Sequence, residues 1–279
     1  MPMQFIDRCE AAWAENGSLL CVGLDPEPKQ FPKPLQGSPT LEAVETFCLE
    51  IAAATAPYCC AFKPQIAHFA ALGGEPALER VCKSIRSAFP QHLLILDAKR
   101  GDIGSTAQHY ATEAFGRYAA DAVTVNPYMG SDSLAPYLAH AGKGIFVLCR
   151  TSNPGGDELQ MQTLSSGERV FEHVARLAAE QWNQHGQVGL VVGATYPHEV
   201  GIVRQLAPKL PLLVPGVGAQ GGDLVRTVAQ AATASGGLFL NSSRAILYAS
   251  ADHDWREAAK QAARQTHQAI QDARAQTNH

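Results

Sequence analysis

The chain has no apolar run long enough to cross a bilayer, so its 279 residues carry no expected membrane segment. It has no basic surplus either. A formal net charge of −4 leaves no electrostatic footprint for nucleic acid. The opening stretch MPMQFIDRCEAAWAENG lacks the basic-then-apolar layout of a secretory signal. Seven cysteines occur without a Cys-x-x-Cys pair or a Cys/His cluster at zinc spacing. Adjacent Cys59 and Cys60 suit neither an ordinary disulfide nor a metal claw. Most cysteines lie in apolar stretches (LLCVG, PYCCAF, FVLCR), where a thiol behaves as a small hydrophobe. Reduced thiols and a cytoplasmic protein are therefore expected. Also missing are a G-x-S-x-G elbow, a Walker loop and an H-E-x-x-H helix. The ten histidines are scattered, and the tripeptide RGD at 100–102 has no adhesion meaning in such a chain.

What is present is an ordinary globular composition, 46% hydrophobic and 17% charged, with a strong rhythm. Short apolar runs recur: LLCVGLD (19–25), YCCAFKP (58–64), LLILDAK (93–99) and AVTVNP (122–127). GIFVLCR (144–150), VGLVVG (188–193), PLLVPGV (211–217) and GLFLNSS (237–243) follow. Between them lie segments of helical spacing such as LEAVETFCLEIAAAT, ALERVCKSIRSAF and GERVFEHVARLAAEQW. Buried strands alternating with amphipathic helices imply parallel βαβ units. Roughly eight units in ~250 residues is the count of a (β/α)8 TIM barrel, an α/β fold. A doubly wound open sheet is the rival, but no linker or composition break divides the chain. One domain over 1–279 is expected, with an outer, mostly polar helix at about 252–275.

The strand ends carry the chemistry. In LILDAKRGDI (94–103) an apolar strand runs straight into Asp97, Lys99, Arg100 and Asp102. Each buried charge forfeits several kcal/mol of hydration, so such a knot needs a reason. Other strands end in Asp25, Lys63, Asn126, Arg150, Gly216 and Asn241. A barrel gathers its site at the C-terminal ends of its strands, so these groups should converge on one mouth. Residues two apart on an extended strand share a face, which would point both Asp97 and Lys99 inward. Lys63 would bring a second ammonium from the neighbouring strand, and Asp102 follows on the turn toward GSTAQHYATEAF. A purely structural ring of ion pairs is the alternative, although apolar replacements of such pairs usually cost nothing.

Gly216, Gly218 and Gly221 in PGVGAQGGD (215–223) spell G-x-G-x-x-G, but on the seventh strand and without the acidic residue a dinucleotide site needs. Loops after strands seven and eight of a barrel commonly hold phosphate, on freed backbone amides at a helix N-terminus. Arg244 in NSSRAI would add a fork of donors. A mere tight turn is the alternative. The long segment RTSNPGGDELQMQTLS (150–165) reads as a lid over the mouth or as an exposed loop.

LDAKRGDIGSTA resembles the signature of the orotidine 5'-phosphate decarboxylases, in their longer bacterial subfamily. The resemblance spans nearly the whole chain, because VGLDP, FKPQ, SNPG, PGVGAQGG and the arginine after strand eight follow in family order. The D-x-K-x-x-D core is shared with phosphate-sugar relatives. Lys63 discriminates, since metal-dependent hexulose-phosphate synthases carry an acidic residue there and use magnesium. The resemblance implies decarboxylation of orotidine 5'-phosphate to UMP in pyrimidine biosynthesis, with no cofactor and no metal. It implies an alternating array of Lys63, Asp97, Lys99 and Asp102, with Lys99 donating the proton to C6. Asp25 and Lys63 would hold ribose hydroxyls, Ser152 and Pro215 would lie at the pyrimidine, and Gln220 and Arg244 would grip phosphate. Asp102, with Ile103 and Thr106, would enter the site of the other subunit of a homodimer. Ser243 departs from the family, which often has glycine before that arginine. A magnesium-dependent phosphate-sugar synthase and a non-catalytic nucleotide-binding barrel are the other readings.

Overall fold

A computed structural model describes residues 3–38, 40–216 and 223–277. Every one of the eight apolar runs contains a strand: β1 (Leu20–Leu24), β2 (Ala61–Pro64), β3 (Leu93–Arg100) and β4 (Ala122–Val125), then β5 (Gly144–Arg150), β6 (Val188–Val192), β7 (Leu212–Pro215) and β8 (Leu238–Ser242). They pair in parallel in chain order and form a closed barrel. Pairing of Leu20 with Leu240 and of Cys21 with Asn241 closes the ring and excludes the open sheet. The strands read as continuous apolar runs because helices cover the outer face while side chains fill the inside. All five residues of β1 and of β6 are buried.

The helices follow their apolar spacing. Ala77, Leu78, Val81, Cys82 and Ile85 form the buried stripe of helix Glu75–Ala88. The C-terminal helix begins at Trp255 and runs to Thr277, a shift of about one turn from the expected span. Turn geometry holds residues 250–254, where Ser250 Oγ donates to Asp254 Oδ1 at 2.6 Å. The helix then starts where the Trp255 ring meets Phe47, with centroids 5.4 Å apart. Phe5–Asn16, for which the sequence pattern predicts no element, is a helix under the N-terminal end of the barrel. Its Phe5 ring meets Phe146 edge-on at 5.9 Å, and Trp13 lies 4.9 Å from Phe239. That end is plugged by aromatic rings, so the accessible end is the one where the strands finish.

Cys9, Cys21, Cys48, Cys59, Cys60, Cys82 and Cys149 are free and buried. Burial pushes the Cys21 and Cys82 thiols up to about 12, so they behave as packing groups. Among the described residues no helix is long and apolar enough to cross a membrane.

Candidate active site

At the mouth, Asp97 of β3 is the centre of the charge array. Lys63 Nζ, at the end of β2, donates to Asp97 Oδ2 at 2.8 Å. Lys99 Nζ donates to Asp97 Oδ1 at 2.6 Å. The side chains of Lys63 and Asp97 are 5% and 9% exposed, whereas Lys99 is 47% exposed and open to a ligand. Burial pushes the Asp97 carboxyl up, but the two ammonium groups outweigh it and hold the group well below the usual carboxylate range. Lys63 is held above the ordinary lysine value, because attraction to Asp97 and Asp25 overrides the cost of burial. Asp97 is therefore an anion and Lys63 a cation throughout the neutral range.

Lys99 does not reach the mouth by strand alternation, and here the expectation is corrected. Its φ is +46°, a left-handed conformation, so β3 is no longer extended at this residue. The β3–β4 register shifts between Leu96 and Arg100. Into that gap comes the Thr124 hydroxyl of β4. It accepts from the backbone N–H groups of both Ala98 and Lys99 at 2.9 Å and donates to Asp97 Oδ1 at 2.9 Å. A left-handed non-glycine residue costs about 1–2 kcal/mol. Such strain persists where surrounding bonds over-determine it, and it clusters at functional sites.

Two adjoining cavities form the mouth. One of about 190 Å³ is lined by Asp25, Lys63, Asp97, Ser152, Pro215 and Arg244, with Asn241 and Gly216. The other, about 360 Å³, shares Lys63, Asp97, Ser152 and Pro215 and adds Lys99 and Thr124. Asp25 and Asn241 each carry a buried Oδ1 with no hydrogen-bond partner among the described residues. Buried acceptors of this kind are normally matched to donors.

The surrounding loops are shaped by close approaches. A Cβ at Gly23 on β1 would collide with the Ser243 hydroxyl, so glycine there makes room for the serine that precedes Arg244. Ser243 also accepts from Asn241 Nδ2 at 3.3 Å. Arg244 opens the short helix Arg244–Leu247 and is exposed to the cavity. Gly216 has a φ of +91°. Gln220, Gly218 and Gly221 lie outside the described residues.

Segment 150–165 is neither a bare loop nor detached from the mouth. Arg150, 1% exposed, donates to Asp157, and its guanidinium lies 4.1 Å from the Tyr196 ring centroid. Gln160 Oε1 accepts from the Thr151 backbone N–H at 2.8 Å, and Gln160 Nε2 donates to Thr151 Oγ1 at 2.8 Å. A Cβ at Gly193 would lie 2.9 Å from Ser152 Cα, so only glycine lets Ser152 close onto the end of β6. The start of the segment is thus a fixed wall of the site.

The structure brings together Asp25, Lys63, Asp97, Lys99, Ser152, Pro215 and Arg244 at one mouth. Asp102, Ile103 and Thr106 line neither cavity. Asp102 Oδ1 accepts from the Ile103 N–H at 2.8 Å, Ile103 is 54% exposed, and Thr106 is exposed on the outer rim.

Residues 18–262 match the model of the orotidine 5'-phosphate decarboxylase / HUMPS family. The chain belongs to that family. An orotidine 5'-phosphate decarboxylase of Paracidovorax citrulli is 58% identical over 275 residues, 98% of this chain and all of the relative. That of Bordetella petrii is 56% identical over 274 residues, again 98% of this chain and all of the relative. Among solved structures, the Leishmania donovani OMP decarboxylase superposes with a TM-score of 0.81 at 38% identity, covering 98% of this chain and 99% of that one. Two residues of this decarboxylase-family site carry little signal in the sequence. Thr124 sits in AVTV, where threonine is an ordinary strand former and nothing marks its hydroxyl as shared by three groups. Asn241 was noted only as a strand end, because burial of its acceptor is invisible without the fold.

Proposed function

We propose that this chain decarboxylates orotidine 5'-phosphate to UMP, with Lys99 as the proton donor. One observation carries the reading: two ammonium groups flank a single buried carboxylate, at 2.8 and 2.6 Å, on the floor of a barrel mouth. Loss of CO2 from C6 leaves an electron pair on carbon with no ring system to delocalise it. A fixed ammonium stabilises that charge as it forms and then delivers its proton to the same carbon, with Lys99 ending as the neutral amine until solvent reprotonates it. Asp97 is ion-paired with both lysines and disfavours a substrate carboxylate beside it, a repulsion that ends when CO2 departs. Asp25 and Lys63 hold the ribose, Ser152 and Pro215 border the pyrimidine, and Arg244 with Gln220 grips the phosphate. Binding energy from that remote phosphate then serves the reacting centre.

Asp102, Ile103 and Thr106 act in a partner copy within a homodimer. Ile103, Tyr128 and Met129 are exposed, 54%, 80% and 42%, and Met129 Cε would lie 3.7 Å from a Cβ at Gly101, the residue before Asp102. Clustered exposed apolar side chains on loops mark an interaction surface. Free buried thiols suit a reducing cytoplasm.

The direct test is turnover of orotidine 5'-phosphate, followed by UV absorbance and CO2 release, before and after exhaustive EDTA treatment. Full activity after chelation is expected, because Asp97 is already paired with two ammonium groups, which repel a divalent cation. Activity abolished by EDTA and restored by magnesium would favour the metal-dependent phosphate-sugar synthase reading. A protein that binds UMP without turnover would be the silent barrel.

Arg244→Ala is expected to weaken UMP binding by about 1.5–3 kcal/mol, the usual worth of hydrogen bonds to a charged group. Calorimetry with UMP and with uridine separates the cause: the loss should disappear for the nucleoside, which has no phosphate to hold. Equal losses with both ligands would remove this arginine from the phosphate site.

A further inference from the structure

Within the mouth, the Asp25 carboxylate has no side-chain hydrogen bond among the described residues to fix its aim. Its Oδ1 is buried with no hydrogen-bond partner among the described residues, whereas Asp97 is gripped by Lys63, Lys99 and Thr124. The direction of the Asp25 side chain is therefore set through its backbone. That backbone is held by Tyr248. The phenol oxygen donates to the Asp25 carbonyl at 2.9 Å and accepts from the Glu27 N–H at 2.7 Å. Between these two residues stands Pro26, which has a fixed φ and no N–H, so the two bonds clamp the main chain on both sides of a stiff link.

Tyr248 is itself well anchored. Its ring stacks on Phe47 with centroids 5.8 Å apart and an interplanar angle of 13°, and Phe47 stacks in turn on Phe31 at 4.6 Å. Its N–H donates to the Arg244 carbonyl at 3.1 Å, one helical turn back. One rigid side chain thus ties the loop after β1 to the turn that carries Arg244. Burial pushes the phenol above its ordinary value, so the hydroxyl remains a donor under all working conditions.

We propose that Tyr248 is a positioning residue that fixes the Asp25 carboxylate in register with Arg244, an inference that rests on the ribose and phosphate roles assigned above. Only a hydroxyl can donate to one backbone group and accept from the other at this place. Tyr248→Phe keeps the aromatic stack, leaves Asp25 C=O and Glu27 N–H unpaired, and frees the loop.

The test is a double-mutant cycle on kcat/KM for orotidine 5'-phosphate with Y248F, D25N and the double variant, alongside thermal melts. Y248F alone is expected to lose about 10- to 100-fold, the scale of a small misplacement in a catalytic site. On the D25N background the same change should cost less than about threefold, because its target is already gone. The inference is overturned if Y248F retains activity within about twofold of wild type, or if its full loss recurs on D25N, which would make the role merely structural. A D25N enzyme of wild-type activity would remove the ribose role of Asp25 and the inference together. Additive losses would remove the inference alone.

Discussion

Lys99→Ala is expected to lower turnover of orotidine 5'-phosphate about ten-thousandfold while UMP still binds. A preorganised charge aimed at a developing anion contributes roughly 10²–10³ in rate, and a positioned general acid about 10²–10⁴. One ammonium serves both purposes, so the two factors overlap and do not simply multiply. The variant should fold. Lys99 is 47% exposed, and its loss leaves Asp97 still paired to Lys63 and bonded to Thr124. The contrast is Asp97→Ala, which would leave the 5%-exposed Lys63 without its ion-pair partner, at a cost of roughly 3–5 kcal/mol. Loss of activity at Asp97 would therefore mix chemistry with instability, and Lys99 is the cleaner probe. Single-turnover kinetics and UMP titration are the measurements. Near-normal turnover in Lys99→Ala would end its assignment as proton donor.

Mixing two dead variants should restore activity. Asp102 follows Lys99 by three residues, yet it lies outside both cavities of its own mouth and, among the described residues, accepts only from its neighbour Ile103. If Asp102 acts in the partner, Lys99→Ala and Asp102→Ala homodimers are each inactive. In a mixed dimer one mouth inherits both defects, while the other receives Lys99 from one chain and Asp102 from its partner. That second site is wild type. Random exchange makes about half the dimers mixed with one good site of two, so roughly a quarter of wild-type activity should return, as twofold symmetry dictates. Exchange verified by native mass spectrometry without recovered activity would place Asp102 in its own chain's site or outside the machinery.

The sequence by itself determined a great deal. Eight apolar runs predicted eight strands because a parallel barrel buries both faces of each, which leaves a signal that needs no partner to read. The convergence of Asp25, Lys63 and Asp97 was also legible, since strand ends in a barrel share one mouth, whereas Ser152 was indicated only by the family resemblance. The helix at 5–16 was not, because its role is to bring Phe5 and Trp13 against Phe146 and Phe239, residues far away in the chain. The place of Lys99 is the sharper case. Periodicity put it on the right side for the wrong reason: the strand is irregular there, with φ +46° at Lys99 and a register shift, and a hydroxyl from β4 supports the irregularity. Thr124, Asn241 and Tyr248 matter through single hydrogen bonds or buried acceptors whose partners come from other strands and loops. Composition and spacing report which side chains leave water. Which polar atom meets which is decided only when packing brings distant segments within hydrogen-bonding reach.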